Sequence, residues 1–268
     1  MPKALLLFIV KGDKNKLLDG LSKETLRGLL SSLHQHYLET REKFKARITK
    51  LWMSNLKDES LSPRGISYPG NALELLLEYH FMLKYPSSLG STRSLSSIFI
   101  PVSHFVWIRK RSNLIVFFDV FKKGILKVLA EAISYKVYGD PNLIGQFTFS
   151  FDDFESLESW TAGYEEGKAL GFLKRAVFAD SIIAGSHVDE ISVKRAAVEQ
   201  EAIYRNVKER SRRWLSLTLV TPLIEEVGVR FSCRFVHDGS ITIYTPIHDL
   251  LYVDVFLSKL EEILALAK

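Results

Sequence analysis

Residues 227–245 alternate so regularly that they fix the kind of sheet this chain can build. Phe231, Cys233 and Phe235 lead into His237-Asp238-Gly239, and Ile241 and Ile243 follow on the same side. Period-two alternation broken by a three-residue loop, with glycine in the left-handed position, is a hairpin signature. The two runs, Val227–Val236 and Ser240–Thr245, are therefore expected as antiparallel neighbours. Arg230, Arg234, Thr242 and Tyr244 fall on the opposite side, which should face solvent or a partner. A second hairpin is expected from Phe105–Lys110 and Leu114–Val120 across Arg111-Ser112-Asn113. Its strands are apolar on both sides, so it needs cover on both faces.

Around these hairpins the periodicity predicts further elements. Residues 3–10 read as a buried strand closed by Lys11-Gly12-Asp13. A long helix is expected over 22–54, where Leu26, Leu29, Leu30, Leu33, Tyr37, Phe44, Ile48 and Leu51 share a stripe. Residues 71–85 read as a short apolar helix stopped by Pro86, and 98–102 as a strand. Helices are expected over 121–138, in pieces over 152–184, over 189–213, and from Thr245-Pro246 onward, with Val253, Phe256, Leu257, Leu260 and Leu264 buried. Residues 146–151 and 214–221 read as strands. The expected fold is α+β with a mainly antiparallel sheet. Residues 71–138 and 189–267 form two helix–three-strand–helix units, a candidate pseudo-repeat, after the long amphipathic helix. The corresponding segments are 1–62, 63–145 and 146–268.

The unit at 71–138 resembles the double-stranded-RNA-binding domain in element order and in Lys122-Lys123 opening the second helix, with Lys127 beyond. That resemblance implies lysines meeting phosphates across a groove. The family's Gly-Pro-x-His loop is absent, and Pro101-Val102-Ser103-His104 stands in its place.

At 268 residues, 47% hydrophobic and 25% charged, the chain has globular composition and enough length for a real core. Its formal charge of +5 is compatible with a polyanionic partner. One cysteine, Cys233, excludes an internal disulfide and a four-cysteine zinc site, and suits a reducing cytoplasm. The apolar run Ala4–Val10 is followed by Lys11, Asp13, Lys14 and Lys16 rather than a cleavage site, so no signal peptide is expected. No apolar run reaches the about 18 residues of a membrane-crossing helix.

Three basic clusters stand out. Lys194, Arg205, Lys208 and Arg212 share one side of the expected 189–213 helix. Lys43, Arg47 and Lys50 flank the apolar stripe of the first helix, with His36 beside them. Arg109, Lys110 and Arg111 sit at the tip of an aromatic hairpin. Basic residues interleaved with aromatics grip phosphates and stack bases. The competing reading of each is a solvated face, with cations near a helix C-terminus stabilised by its dipole. The acids Asp152, Asp153, Glu155, Glu158, Glu165 and Glu166 suggest either a magnesium-dependent nuclease or helix capping after Ser150. Gly163–Ala169 departs from a phosphate loop in glycine spacing and in lacking the Ser or Thr for magnesium. The function expected is therefore non-enzymatic nucleic-acid binding through backbone and shape contacts, without cofactor, metal or membrane. An assembly subunit with an apolar or aromatic surface is the first alternative. A nuclease, metal-dependent or using His36, is the second.

Overall fold

The computed structural model describes residues 3–20, 48–55, 72–89, 92–120, 123–161, 164–165, 168–169, 171–183, 186–194 and 202–266. One antiparallel sheet of eleven strands organises them. The strands are β1 (Lys3–Val10), β2 (Ile48–Asn55), β3 (Ala72–Leu89), β4 (Thr92–Arg109), β5 (Leu114–Phe118), β6 (Ile144–Gln146), β9 (Phe172–Ile183), β10 (Ser186–Lys194), β11 (Ser211–Val220), β12 (Ser232–Val236) and β13 (Ser240–Ile243), with β7 (Tyr164–Glu165) and β8 (Lys168–Ala169) as a separate small pair. The spatial order is β10-β9-β11-β12-β13-β1-β5-β4-β3-β2, and β6 also pairs with β1. The described helices are α1 (Lys14–Gly20), α2 (Lys123–Tyr138), α3 (Phe151–Thr161), α4 (Ala202–Glu209) and α5 (Leu250–Ile263).

The apolar run of β1 reads as it does because it is central. Leu5 and Leu7 join one core with α3, α4 and α5, and Leu6, Phe8 and Val10 join the other with α1 and α2. The first core is aromatic: Phe154 stacks on Trp214 with centroids 5.3 Å apart, and Phe178 lies 4.9 Å from the same ring. The second is mostly aliphatic, with Leu126, Leu129 and Ile133 of α2 against Val106, Ile115 and the edge-on pair Phe8–Phe117. Helix starts are built from local chemistry. At α3 the Ser150 hydroxyl accepts from Asp153 N (3.1 Å) while Ser150 N donates to the Asp153 carboxylate (2.8 Å), a reciprocal capping box. At α5, Asp249 accepts from Leu251 N at 2.9 Å.

The hairpin across His237-Asp238-Gly239 forms as its alternation predicts, with Phe235 opposite Ile241. Gly239 has φ +79°, and a Cβ there would sit 2.2 Å from the Phe147 carbonyl oxygen. Lys123 Nζ bonds the Asp238 carboxylate at 2.5 Å. Burial pushes that carboxyl up, but the bonds from Lys123 and Ser240 outweigh it and hold it below the usual range.

The two-unit fold is not what forms. The helix expected over 71–85 does not form: Ala72–Leu89 is β3, paired along its whole length with β4. The separate strands expected at 98–102 and 105–110 are one continuous β4. Of the helix expected over 189–213, residues 189–194 belong to β10 and 211–213 to β11, and among the described residues Ala202–Glu209 alone is helical. Of the pieces expected over 152–184, Phe151–Thr161 is helix but Phe172–Ile183 is β9. The long helix over 22–54 is also corrected. The first described helix is the short α1, and Ile48–Asn55 is a strand on β3, while 21–47 lie outside the described residues. Leucine-rich runs such as ALELLLEYHF have good helix propensity, and strand pairing overrides it. Without the helix expected over 71–85 the likeness to the double-stranded-RNA-binding order goes too. No helix among the described residues is long and apolar enough to cross a membrane.

Candidate nucleic-acid interface

The expected basic stripe is broken up. Lys194 ends β10, Arg205 is exposed on α4, and Arg212 is exposed near the start of β11. Lys208 turns inward over the Trp214 ring (5.4 Å to its centroid) and bonds Glu158 (2.6 Å) and Glu155 (3.0 Å). Burial lowers its pKa, yet the two glutamates raise it more, so the ammonium is held charged. Lys208, Glu155 and Glu158, with Phe151, Tyr204 and Arg205, line a cavity of about 430 Å³ between α3 and α4. The acidic stretch is thereby spoken for in part: Asp153 caps α3, and Glu155 and Glu158 neutralise Lys208. Among the described residues no cluster of ligating side chains could hold a metal ion.

Arg109 is also withdrawn from any surface. It is 0% exposed, donates from Nε to Glu261 (2.7 Å) and from Nη2 to Ser258 (2.7 Å), and its Nη1 meets Asp254. Ser112 donates to the same Glu261 at 2.6 Å. Burial lowers the guanidinium pKa, but Glu261 and Asp254 raise it further, so the group stays charged. The cluster ties the end of β4 to α5. Lys110 and Arg111 remain exposed beyond it, with Lys14 Nζ on the Lys110 carbonyl. Lys50 lies on β2, and Lys43, Arg47 and His36 are outside the described residues.

A different basic surface emerges from strand register. Helices α3, α4 and α5 pack on one face of β9 to β13, the face of Leu173, Phe178, Leu217, Cys233, Phe235 and Ile243. The other face has no helix on it among the described residues of this half. Pairing lines up Lys194, Arg175, Thr218, Arg234 and Thr242 in one row across five strands. Adjacent strands are about 4.8 Å apart, so this row is about 19 Å wide. A bulge enlarges its charge. Between the pairs Thr218–Arg175 and Leu219–Leu173, β9 carries one extra residue, Lys174. A bulge re-aims a side chain, and here Lys174 Nζ reaches Ser232 Oγ (3.2 Å) on the same face as Arg175. Arg230, exposed, precedes Ser232 by two and shares its side.

Among the described residues, serine hydroxyls rather than carboxylates bond Lys174, Arg175 and Arg234. Arg175 Nε donates to Ser192 Oγ at 2.9 Å, and Arg234 Nη2 to Ser216 Oγ at 3.3 Å. Arg234 Nε is buried with no hydrogen-bond acceptor among the described residues. Lys194 stands directly opposite Arg175, a like-charge pair that costs stability in a sheet. Glu190, opposite Ala179, is the one carboxylate that alternation puts on this face among the described residues of these strands. Asp180 is engaged by Arg213 at 3.8 Å.

Sequence reasoning found part of this surface, since Arg230, Arg234, Thr242 and Tyr244 were assigned to an open hairpin side. Lys174 and Arg175 were missed because the bulge interrupts the alternation of Phe172–Phe178. The signal available was the cluster of apolar and aromatic residues in FLKRAVF, dense enough for a strand once a one-residue slip is allowed. No protein-family model and no curated protein sequence matches the chain.

Proposed function

We propose that this is a non-enzymatic nucleic-acid-binding protein that holds phosphates on the open face of β9 to β13. The observation that carries the reading is the cluster of Lys174, Arg175, Lys194 and Arg234, in which Lys174, Arg175 and Arg234 bond hydroxyls and Lys194 and Arg175 form a like-charge cross-strand pair. A polyanion relieves that repulsion. Contact is to backbone phosphates, so affinity must fall steeply with salt, by about 0.7 to 0.9 in log-log slope per phosphate neutralised. Fluorescence anisotropy with labelled DNA and RNA across a salt series is the test. Arg175→Gln with Arg234→Gln should weaken binding and flatten the slope by about 2. No binding at low salt rejects the reading. We also assign the protein to a reducing, cytoplasmic setting, on the strength of a single buried free cysteine.

A second reading, assembly through an apolar surface, draws on the β3–β4 ribbon. Beyond the Phe81–Ile100 pair the ribbon runs on to Leu89–Thr92, with neither β2 nor β5 beside it, and Ile98 is 48% exposed. A two-stranded ribbon alone is marginal in water. Light scattering on a variant lacking 84–97 tests it: a change in mass supports assembly, and an unchanged mass removes this reading.

A further inference from the structure

Resting on the polyanion reading of the β9–β13 face, we infer that its ligand is single-stranded nucleic acid, with a base stacked on Tyr244. Tyr244 is 45% exposed, and its backbone N–H bonds the Ser232 carbonyl at 2.8 Å. Ile243 before it is buried in the covered core, so alternation turns the Tyr244 ring to the open face, beside the cations. Phe172 lies in the same row, opposite Val220, which neighbours Ser232. Lys174 Nζ stands 5.9 Å from the Phe172 ring centroid. The face therefore offers a cationic track crossing β10, β9 and β12, with an aromatic platform at the β13 end.

Shape separates the two nucleic-acid forms. A face about 19 Å wide does not enter a major groove about 12 Å wide, so the bases of a duplex stay out of reach of Tyr244. A duplex could offer the face only phosphates. A single strand can lie across the strands with phosphates on Lys194, Arg175, Lys174 and Arg234 and an unstacked base on the ring. Stacking is tolerant of sequence, so little base preference is expected.

The test uses the full chain and four labelled probes at matched salt: a 12-mer of deoxythymidine, a 12-mer of uridine, a 12-base-pair duplex, and heparin as a polyanion without bases. The single strands should bind more tightly than the duplex. Tyr244→Ala should weaken them about tenfold and leave heparin unchanged, whereas Tyr244→Phe keeps the ring and should bind like the parent. The two single strands report whether the 2′-hydroxyl matters. If Tyr244→Ala leaves single-strand affinity intact while the Arg175→Gln/Arg234→Gln protein loses it, the stacking inference falls and the polyanion reading stands. If neither variant changes binding, both fall. A duplex bound as tightly as the single strands also overturns the inference. Photocrosslinking of a 5-iodouridine 12-mer to the unmodified protein checks the site without a variant: adducts on Tyr244 or Phe172 support it, and adducts confined to the helical face refute it.

Discussion

Around β1 the sheet is covered on both faces, whereas across β12, β11, β9 and β10 described helices cover only one. Arginine shows what that difference does. Arg109, in the covered half, is sealed between Asp254 and Glu261, where a charge removed from water needs opposite charge at contact distance. Arg234, in the half-open part, keeps water on one side and is steadied by a serine hydroxyl. The first arginine acts as an internal tie from β4 to α5, and the second is left electrostatically unspent. A basic residue in the sequence thus says little about function until the face it occupies is known.

The largest effect expected is at the internal tie. Arg109→Met strands two buried carboxylates and should cost about 3–5 kcal/mol by chemical denaturation, while Arg234→Met should cost less than about 1 kcal/mol. Equal losses would erase the distinction between the halves. Next comes the seam where β13 meets β1. Gly239→Ala must hold a left-handed φ and press a Cβ on the Phe147 carbonyl, so about 1–3 kcal/mol or more should be lost in thermal melts. A smaller, pH-dependent effect belongs to His104, buried in the covered half with Nδ1 on the Phe118 carbonyl at 2.8 Å. Burial lowers its pKa more than that carbonyl and nearby Asp119 raise it. The unfolded chain therefore takes up this proton first, and stability should fall as pH drops through about 6.5. His104→Gln should flatten that slope in denaturation curves taken between pH 7 and 5; an unchanged slope would show that His104 contributes nothing to it. The smallest effect has two opposite signs. Lys194→Glu turns a like-charge pair into an attractive one, raising stability by at most about 0.5 kcal/mol while weakening nucleic-acid binding. A variant that lost both would mean that Lys194 has a structural partner after all.

How much of this was legible follows from where each signal lies. The strand 3–10, the helix over 123–138 and the turn at Gly239 are written in local pattern: a short apolar run, a 3.6-residue stripe, a glycine where φ must be positive. The strands β3 and β10 are not, because their state depends on partners. ALELLLEYHF becomes a strand by lying beside β4, and HVDEISVK by lying beside β9. The site inherits the same limit. Arg234 could be placed on an open side because its hairpin is local, but its neighbour in the row, Arg175, reaches it through β11 and a bulge. Lys208 could not be told from Arg205 by spacing, since the glutamates that neutralise it come from α3.

The pairing of β1 with β13 sets a timetable for synthesis. Lys3 lies opposite Ile243, and the first is translated 240 residues before the second. At about 5–20 residues per second that interval is on the order of 10–50 s. Throughout it, the Lys3–Leu6 part of an apolar strand meant for the middle of the sheet has one edge without its β13 partner, while β6 takes the Phe8–Val10 part earlier. An open apolar edge is a template for other chains, so this stretch of β1 is exposed to mispairing until its late partner emerges. A chain terminated before residue 240 should aggregate rather than settle into a smaller fold.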